Sequence, residues 1–270
     1  MGKLIFENIR DLSLRDTLDC GQCFRWKETE DGGYRGVVRG RTATVRMDGE
    51  RLVIDGAEDR DRALWAEYFD LDFDYAAVRE RLAAIHPVMA QAARYAPGIR
   101  ILRQEPFEAL ICFIISQNNN IKRITGIVDR LCMHFGERVG ESYAFPTAVR
   151  LAALSPEELA PIRAGFRHRY IIDAARKIAD GTVEPERLRQ LPYDEAKAAL
   201  MQITGVGVKV ADCVLLYGLH RLESFPLDVW MKRAMETLFG GMDPHAFGEY
   251  AGIAQQYIFH YARMHPELFM

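Results

Sequence analysis

The sequence predicts an α+β protein, with a small antiparallel β-sheet domain first and an all-helical domain after it. Two observations carry this expectation. Through roughly residue 55, short segments alternate apolar and polar side chains between turn residues. From Asp59 onward, apolar residues recur instead at helical spacing. A chain of 270 residues with 49% hydrophobic content can bury one large core or two moderate ones.

Strand-like segments fall at residues 4–9, 23–27, 34–39, 42–47 and 52–54. Asp48-Gly49 separates the last two, and Gly32-Gly33 marks an earlier turn. The alternation suits an antiparallel sheet with one covered face. The clearest helical pattern is Ile121, Ile124, Val128, Leu131 and Phe135, with Gly136 placed to stop it. Further helical segments are expected at 169–179, 194–203, 208–220, 227–238 and 244–264. No internal repeat or low-complexity linker interrupts the chain. Pro97-Gly98 is the best boundary, which gives domains 1–97 and 98–270.

Several classes are disfavoured. The longest apolar runs, such as 109–116, are too short to cross a bilayer. The first residues lack the apolar stretch and cleavage site of a signal peptide. A soluble intracellular protein is therefore expected, cytoplasmic or at the nucleoid if bacterial. Five cysteines in a chain this long do not suggest a disulfide framework. Cys20 and Cys23 form a C-x-x-C, but no second pair follows at zinc or iron–sulfur spacing, so a metal or redox protein has little support. The net charge of -3 argues weakly against nucleic acid, yet the charge is uneven. Acids crowd 58–74, whereas Arg163, Arg167, Arg169, Arg176 and Lys177 enclose one acid, Asp173. On composition alone that basic run reads as a solvated helix face.

Chemistry enters at Ile203-Thr204-Gly205-Val206-Gly207-Val208. Helical patterns lie on both sides, so the backbone must reverse within a few residues. Gly205 and Gly207 permit the reversal and a close approach by another molecule. The backbone N–H groups of Gly205, Gly207 and Val208, at the start of a helix, suit a DNA phosphate without sequence preference. A G-x-G alone often serves only a tight connection. Here Lys209 follows at once.

This hairpin, continued by Lys209-Val210-Ala211-Asp212-Cys213 and then Phe225-Pro226-Leu227-Asp228-Val229, resembles the helix–hairpin–helix signature of DNA glycosylases. More narrowly, it resembles the 8-oxoguanine DNA glycosylase/lyase family. The resemblance recurs in order along the chain. Gly21-Gln22-Cys23-Phe24-Arg25-Trp26 is similar to the family's N-terminal signature, and Ser116-Gln117-Asn118-Asn119-Asn120-Ile121-Lys122-Arg123-Ile124 to its asparagine-rich helix junction. Gly165-Phe166-Arg167-His168-Arg169-Tyr170 and Ala251-Gly252-Ile253-Ala254-Gln255 also match. The resemblance implies a TATA-binding-protein-like N-terminal domain followed by a helix–hairpin–helix catalytic domain.

It also implies roles. Lys209 would attack the sugar C1′ of the damaged nucleotide and form a Schiff base, and β-elimination would then nick the strand. An ordinary lysine, with a pKa of about 10.4, must first lose its proton, which burial or nearby positive charge encourages. Asp228 would stabilise the cation developing at the sugar. Each has a plainer reading as well. Lys209 suits a phosphate contact, and Asp228 suits a helix N-cap, a role compatible with catalysis.

The resemblance extends to the base. Guanine N7 accepts hydrogen bonds, whereas 8-oxoguanine carries a hydrogen there, which the Gly21 carbonyl would accept. Cys213, one helical turn from Lys209, and Phe259 would sandwich the base, although both also suit a core. Gln255 would bond the base edge, and otherwise reads as an exposed helical glutamine. Asn118 would fill the vacated space, or else cap a helix. Arg123 and Arg167 would donate to the orphaned cytosine, or else lie on a solvated face. Phe166 matches a wedge that kinks DNA.

Two departures matter. Trp230 stands where some relatives have a phosphate-contacting histidine, and Thr204 stands where proline is common. No cofactor is required on this reading, and no side chains announce a metal. A cation held by hairpin backbone carbonyls is an option by resemblance. The expected partner is double-stranded DNA containing 8-oxoguanine, met by a monomer, with no membrane role. The competing readings are a monofunctional glycosylase for alkylated bases and a non-catalytic helix–hairpin–helix DNA-binding module.

Overall fold

The computed structural model describes residues 2–269. Strands β1 (Lys3–Phe6), β2 (Trp26–Glu28), β3 (Tyr34–Val38), β4 (Arg41–Asp48) and β5 (Arg51–Asp55) form one antiparallel sheet in the order β1-β5-β4-β3-β2. Leu4, Ala43, Val45, Leu52 and Ile54 share one face. Over it lie α1 (Leu14–Leu18) and α2 (Arg62–Tyr68), with Trp65, Tyr68 and Phe69 packed around Trp26. The Trp26 indole N–H donates to the Tyr68 hydroxyl at 2.8 Å, which removes the penalty of burying it. Helix α1, five residues capped by Ser13, is too short to show a period and is not anticipated by the sequence pattern.

The expectation of one covered face is incomplete. Val37 and Val53, in the opposite phase, are buried too. Part of their cover is a small hairpin, β6 (Arg138–Val139) with β7 (Ser142–Tyr143), whose Val139 carbonyl accepts from Thr42 Oγ1 at 3.2 Å. The pattern after Asp59 is therefore not helical throughout, because two-residue strands leave no alternation to read.

The rest is helical. Its elements are α3 (Tyr75–Ala83), α4 (Pro87–Tyr95), α5 (Pro106–Ser116), α6 (Ile121–Phe135), α7 (Ala148–Ala152), α8 (His168–Ala179), α9 (Pro185–Leu188), α10 (Tyr193–Leu200), α11 (Val208–Tyr217), α12 (Val229–Phe239) and α13 (Ala251–Met264). Residues 109–115 of α5 are all buried, and α5 packs against α6, α8 and α11 at the centre of the body. Helices α3 and α4, which precede Pro97-Gly98, also pack into this core, with α4 against α13. Gly136 ends α6 in extended rather than left-handed backbone; a Cβ there would strike the Ala144 carbonyl. The continuous helix expected over 244–264 is broken. Residues 244–250 form tight turns that are themselves kinked at Gly248, at φ 65° and ψ −142°, before α13 begins.

Candidate active site and nucleic-acid interface

The hairpin joins α10 to α11. Gly205 has φ +81°, and a Cβ there would run into the Tyr170 ring, so glycine is required twice over. A Cβ on Gly207 would meet nothing within 4 Å, and Val208 beside it is exposed. No side chain caps α11, so its leading N–H groups are left for an external acceptor. The basic run takes part in this construction. Asp173 accepts from Thr204 N at 2.7 Å and from Lys177 at 2.9 Å, while Lys177 also donates to the Gln202 carbonyl at 2.6 Å. These residues brace the hairpin as well as facing solvent.

Lys209 follows on the first turn of α11, and Asp228 caps α12 by accepting from Met231 N at 2.7 Å. Asp228 is thus a cap, as its plainer reading required, and the cap fixes the carboxylate. Gly21, Lys209, Cys213, Asp228, Gln255 and Phe259 line a cavity of about 50 Å³. An adjoining cavity of about 380 Å³ shares Gly21, Phe113, Lys209, Asp228 and Phe259. The first holds only a water or two, so a base must draw on both. The Lys209 ammonium lies 3.5 Å from Ser116 Oγ and 5.4 Å above the Phe113 ring. Burial pushes the Cys213 thiol up to about 11 against the opposing charge of Lys209, so at neutral pH it is an uncharged packing surface. Gln255 is only 5% exposed, not an exposed helical glutamine. Its amide oxygen accepts from the Tyr217 hydroxyl at 3.1 Å, and its nitrogen donates to the Pro226 carbonyl at 3.4 Å.

Gly21 comes from the other end of the chain and is set by its neighbour. The Gln22 amide is fully buried; it donates to the carbonyls of Thr17 at 2.9 Å and Arg100 at 2.8 Å, and accepts from Leu102 N at 2.9 Å. The Gln22 carbonyl accepts from Gln104 Nε2 at 2.7 Å. Gly21 has φ +91°, with Phe259 and Ile121 against the side where a Cβ would sit. Among the described residues no group donates to its carbonyl. The rest of the N-terminal signature is mainly structural, although Phe24 also lines the larger cavity. Phe24 joins the helical core, Arg25 pairs with half-buried Glu108 at 3.4 Å and bonds the Tyr143 carbonyl, and Trp26 anchors the sheet core.

The opposite-strand candidates lie around the α5–α6 link and the start of α8. Asn118 is exposed at φ +48° and caps nothing; the cap of α6 is Asn120, which accepts from Arg123 N at 3.0 Å. Arg123 is exposed, and Phe166 is 48% exposed, edge-on to Tyr170. Arg167 departs from the expectation of a solvated or freely donating arginine. It is 3% exposed, and its guanidinium is bound to the carbonyls of Gln117, Asn118 and Ala164. Trp230 Nε1 is buried without a partner, and its ring lies against Phe269 at 4.9 Å, so it does not reach outward as a donor. Sequence reasoning missed Phe113, Ser116, Tyr217, Pro226 and Gln256 in the cavity walls. Only Tyr217 carried a signal, four residues beyond Cys213 on one helix face.

Among the described residues no group of three or more His, Cys, Asp or Glu side chains is placed to hold a metal ion. All five cysteines are free and buried. No described helix is long and apolar enough to cross a membrane.

Residues 4–110 match the family described as 8-oxoguanine DNA glycosylase, N-terminal domain, and residues 111–246 match the HhH-GPD superfamily base excision DNA repair protein. The N-glycosylase/DNA lyase of Saccharomyces cerevisiae is 34% identical, over 86% of this chain and 69% of the yeast protein. That of Arabidopsis thaliana is also 34% identical, over 92% of this chain and 77% of its own. The 8-oxoguanine glycosylase/lyase of Clostridium acetobutylicum, solved with double-stranded DNA containing cytosine opposite 8-oxoguanine, superposes with a TM-score of 0.92 at 35% identity, covering 98% of this chain and 96% of that one. The chain belongs to the 8-oxoguanine DNA glycosylase family, within the helix–hairpin–helix superfamily of base-excision repair proteins.

Proposed function

We propose that this protein excises 8-oxoguanine opposite cytosine in double-stranded DNA and nicks the strand through a Schiff base on Lys209. The observation that carries this reading is the convergence of Lys209, Asp228, Gly21, Cys213, Gln255 and Phe259 on one cavity. The uncapped N-terminus of α11 stands beside it as a phosphate site. The relatives' names, N-glycosylase/DNA lyase, support the same activity.

The target nucleotide leaves the stack, since its C1′ is otherwise out of reach. Its base lies between Cys213 and Phe259, and the Gly21 carbonyl accepts the N7–H that guanine lacks. Lys209, having given up a proton, attacks C1′. The bond from C1′ to N9 breaks, and its electron pair leaves with the base, which is then protonated. Asp228, held still by Met231 N–H, faces the positive charge that develops at the sugar. The C1′–O4′ bond then opens as the amine nitrogen gives up a proton and O4′ takes one, which leaves the Schiff base. Loss of a proton from C2′ expels the 3′ phosphate.

On the other strand, Asn118 fills the gap, Phe166 wedges the step, and Arg123 and Arg167 supply donors to cytosine. Arg167 must exchange at least one of its loop carbonyls to do so. A monomer on a bent duplex, inside a cell, and a cation at the hairpin carbonyls belong to the same reading.

The test is borohydride trapping on a duplex with 8-oxoguanine opposite cytosine. A covalent adduct is expected, and it should vanish in Lys209→Gln. Base release without an adduct would mean a monofunctional glycosylase; binding with neither would mean a DNA-binding module.

A further inference from the structure

Tyr217 lies two helical turns beyond Lys209 on α11, on the face that forms the cavity wall. It is buried and stacks on Phe113, with ring centroids 5.2 Å apart and planes 18° from parallel. Its hydroxyl lies 2.5 Å from Gln256 Oε1 and 3.1 Å from Gln255 Oε1. The two amide nitrogens face backbone carbonyls, Pro226 for Gln255 and Cys20 for Gln256, each at 3.4 Å. A carbonyl can only accept, so turning either amide over would set oxygen against oxygen. Both amide oxygens are therefore held toward Tyr217, which has one hydrogen to give. Burial raises the phenol well above the ordinary tyrosine value, so that hydrogen stays in place.

The cavity consequently has a surplus of acceptors. The two amide oxygens share that one hydrogen, which leaves Gln255 Oε1 incompletely satisfied beside the free carbonyl of Gly21. We propose that Tyr217 is a specificity-determining positioning residue, whose hydroxyl fixes the Gln255 amide as an acceptor so that the pocket demands a base edge carrying donors. This rests on reading the site as an 8-oxoguanine pocket, and it deepens that reading. The N7–H accepted by Gly21 is present in 8-oxoguanine and 8-oxoadenine alike, so it does not tell them apart. The N1 position does: it is a donor in 8-oxoguanine and an acceptor in 8-oxoadenine. An unpaired buried acceptor facing another acceptor rejects the wrong base strongly.

The test uses single-turnover excision from duplexes carrying 8-oxoguanine, 8-oxohypoxanthine or 8-oxoadenine opposite one fixed partner. The unaltered protein should process 8-oxohypoxanthine, which keeps N1–H, at a rate closer to 8-oxoguanine than to 8-oxoadenine. In Tyr217→Phe, which keeps the ring stack on Phe113, the Gln255 amide loses the Tyr217 donor, keeps only its 3.4 Å contact to the Pro226 carbonyl and turns more readily. The ratio of 8-oxoguanine to 8-oxoadenine excision should fall by about tenfold, the size of one misplaced hydrogen-bonding group. An unchanged ratio overturns the role, including a parallel fall in both rates, which is what a purely structural residue would give. Equal rejection of 8-oxohypoxanthine and 8-oxoadenine by the unaltered protein overturns it without any variant. Failure of the unaltered protein to release 8-oxoguanine strikes the proposed function itself, and this inference falls with it.

Discussion

Arg167 Nε donates to the carbonyl of Gln117 at 3.0 Å, and Nη2 of the same guanidinium reaches the Asn118 carbonyl at 3.3 Å. The arginine thus clamps the turn that presents Asn118 in left-handed backbone. Arg123, one helical turn into α6, is exposed and makes no such clamp.

The two arginines should therefore fail differently. Arg123→Ala is expected to lower the preference for cytosine over adenine opposite the lesion by about tenfold, the value of one lost charged hydrogen bond, with no change in melting temperature. Arg167→Ala should lower the preference and also destabilise the protein by about 1–3 kcal/mol, because buried carbonyls lose their donor. Single-turnover excision opposite each base, with calorimetry of both variants, decides this. Equal melting temperatures would remove the clamp from the account.

Gln22 is the corresponding anchor for Gly21. Gln22→Leu would leave Leu102 N unpaired in the interior and release two carbonyls. A loss of about 3 kcal/mol is expected. Base excision should fall while DNA affinity, which rests mainly on the hairpin N–H groups and other backbone contacts, stays within about threefold. Unfolding in urea and binding of an undamaged duplex measure the two. A parallel loss of affinity would show that the Gly21 loop contributes to holding the duplex.

Much of this was legible in the sequence. Alternation gave the sheet because β3, β4 and β5 are long enough to show a period. The hairpin glycines marked the turn beside Lys209, and the family resemblance, not spacing alone, pointed to Asp228, Gly21, Cys213, Gln255 and Phe259. What stayed hidden has physical causes. Strands β6 and β7 have two residues each, and α1 has five, below any periodicity. Phe113 sits in a helix apolar on all sides, so nothing marks it as a pocket wall. The inward turn of Arg167 and the burial of the Trp230 nitrogen depend on loops and on Phe269, far away in sequence.

Asp228 offers a separation of cap from chemistry. Asparagine caps helices about as well as aspartate. Asp228→Asn should keep Met231 N bonded and hold stability within about 0.5 kcal/mol. It carries no charge to face the sugar cation, so excision should drop by a factor of about 100 or more. Urea unfolding beside single-turnover kinetics provides the check. Substantial excision by this variant would reduce Asp228 to a cap.

Asp70 sets the response to acid. It is buried and accepts from Arg103 Nε at 2.7 Å, the Tyr75 hydroxyl at 2.9 Å and His220 Nε2 at 3.2 Å, while its carbonyl takes Arg100 Nη1 at 2.7 Å. It therefore ties the sheet domain to the helical body. Burial pushes its carboxyl up, but the bonds and charges of His220 and Arg103 outweigh that and hold it below the usual carboxylate value. In the unfolded chain it titrates near 3.9, as an ordinary aspartate does at about that pH. Because the folded value is the lower one, its contribution is complete above about pH 4 and is lost as pH falls through the folded value. Asp70→Asn should cost about 3 kcal/mol at pH 7, since it leaves buried partners uncompensated. The deficit should shrink as pH drops below about 4, where the unfolded chain protonates first and the folded carboxylate follows at lower pH. Urea unfolding of both proteins at pH 7, 4 and 3 tests the sign, and a deficit that grows with acid would place the acid-sensitive contact elsewhere.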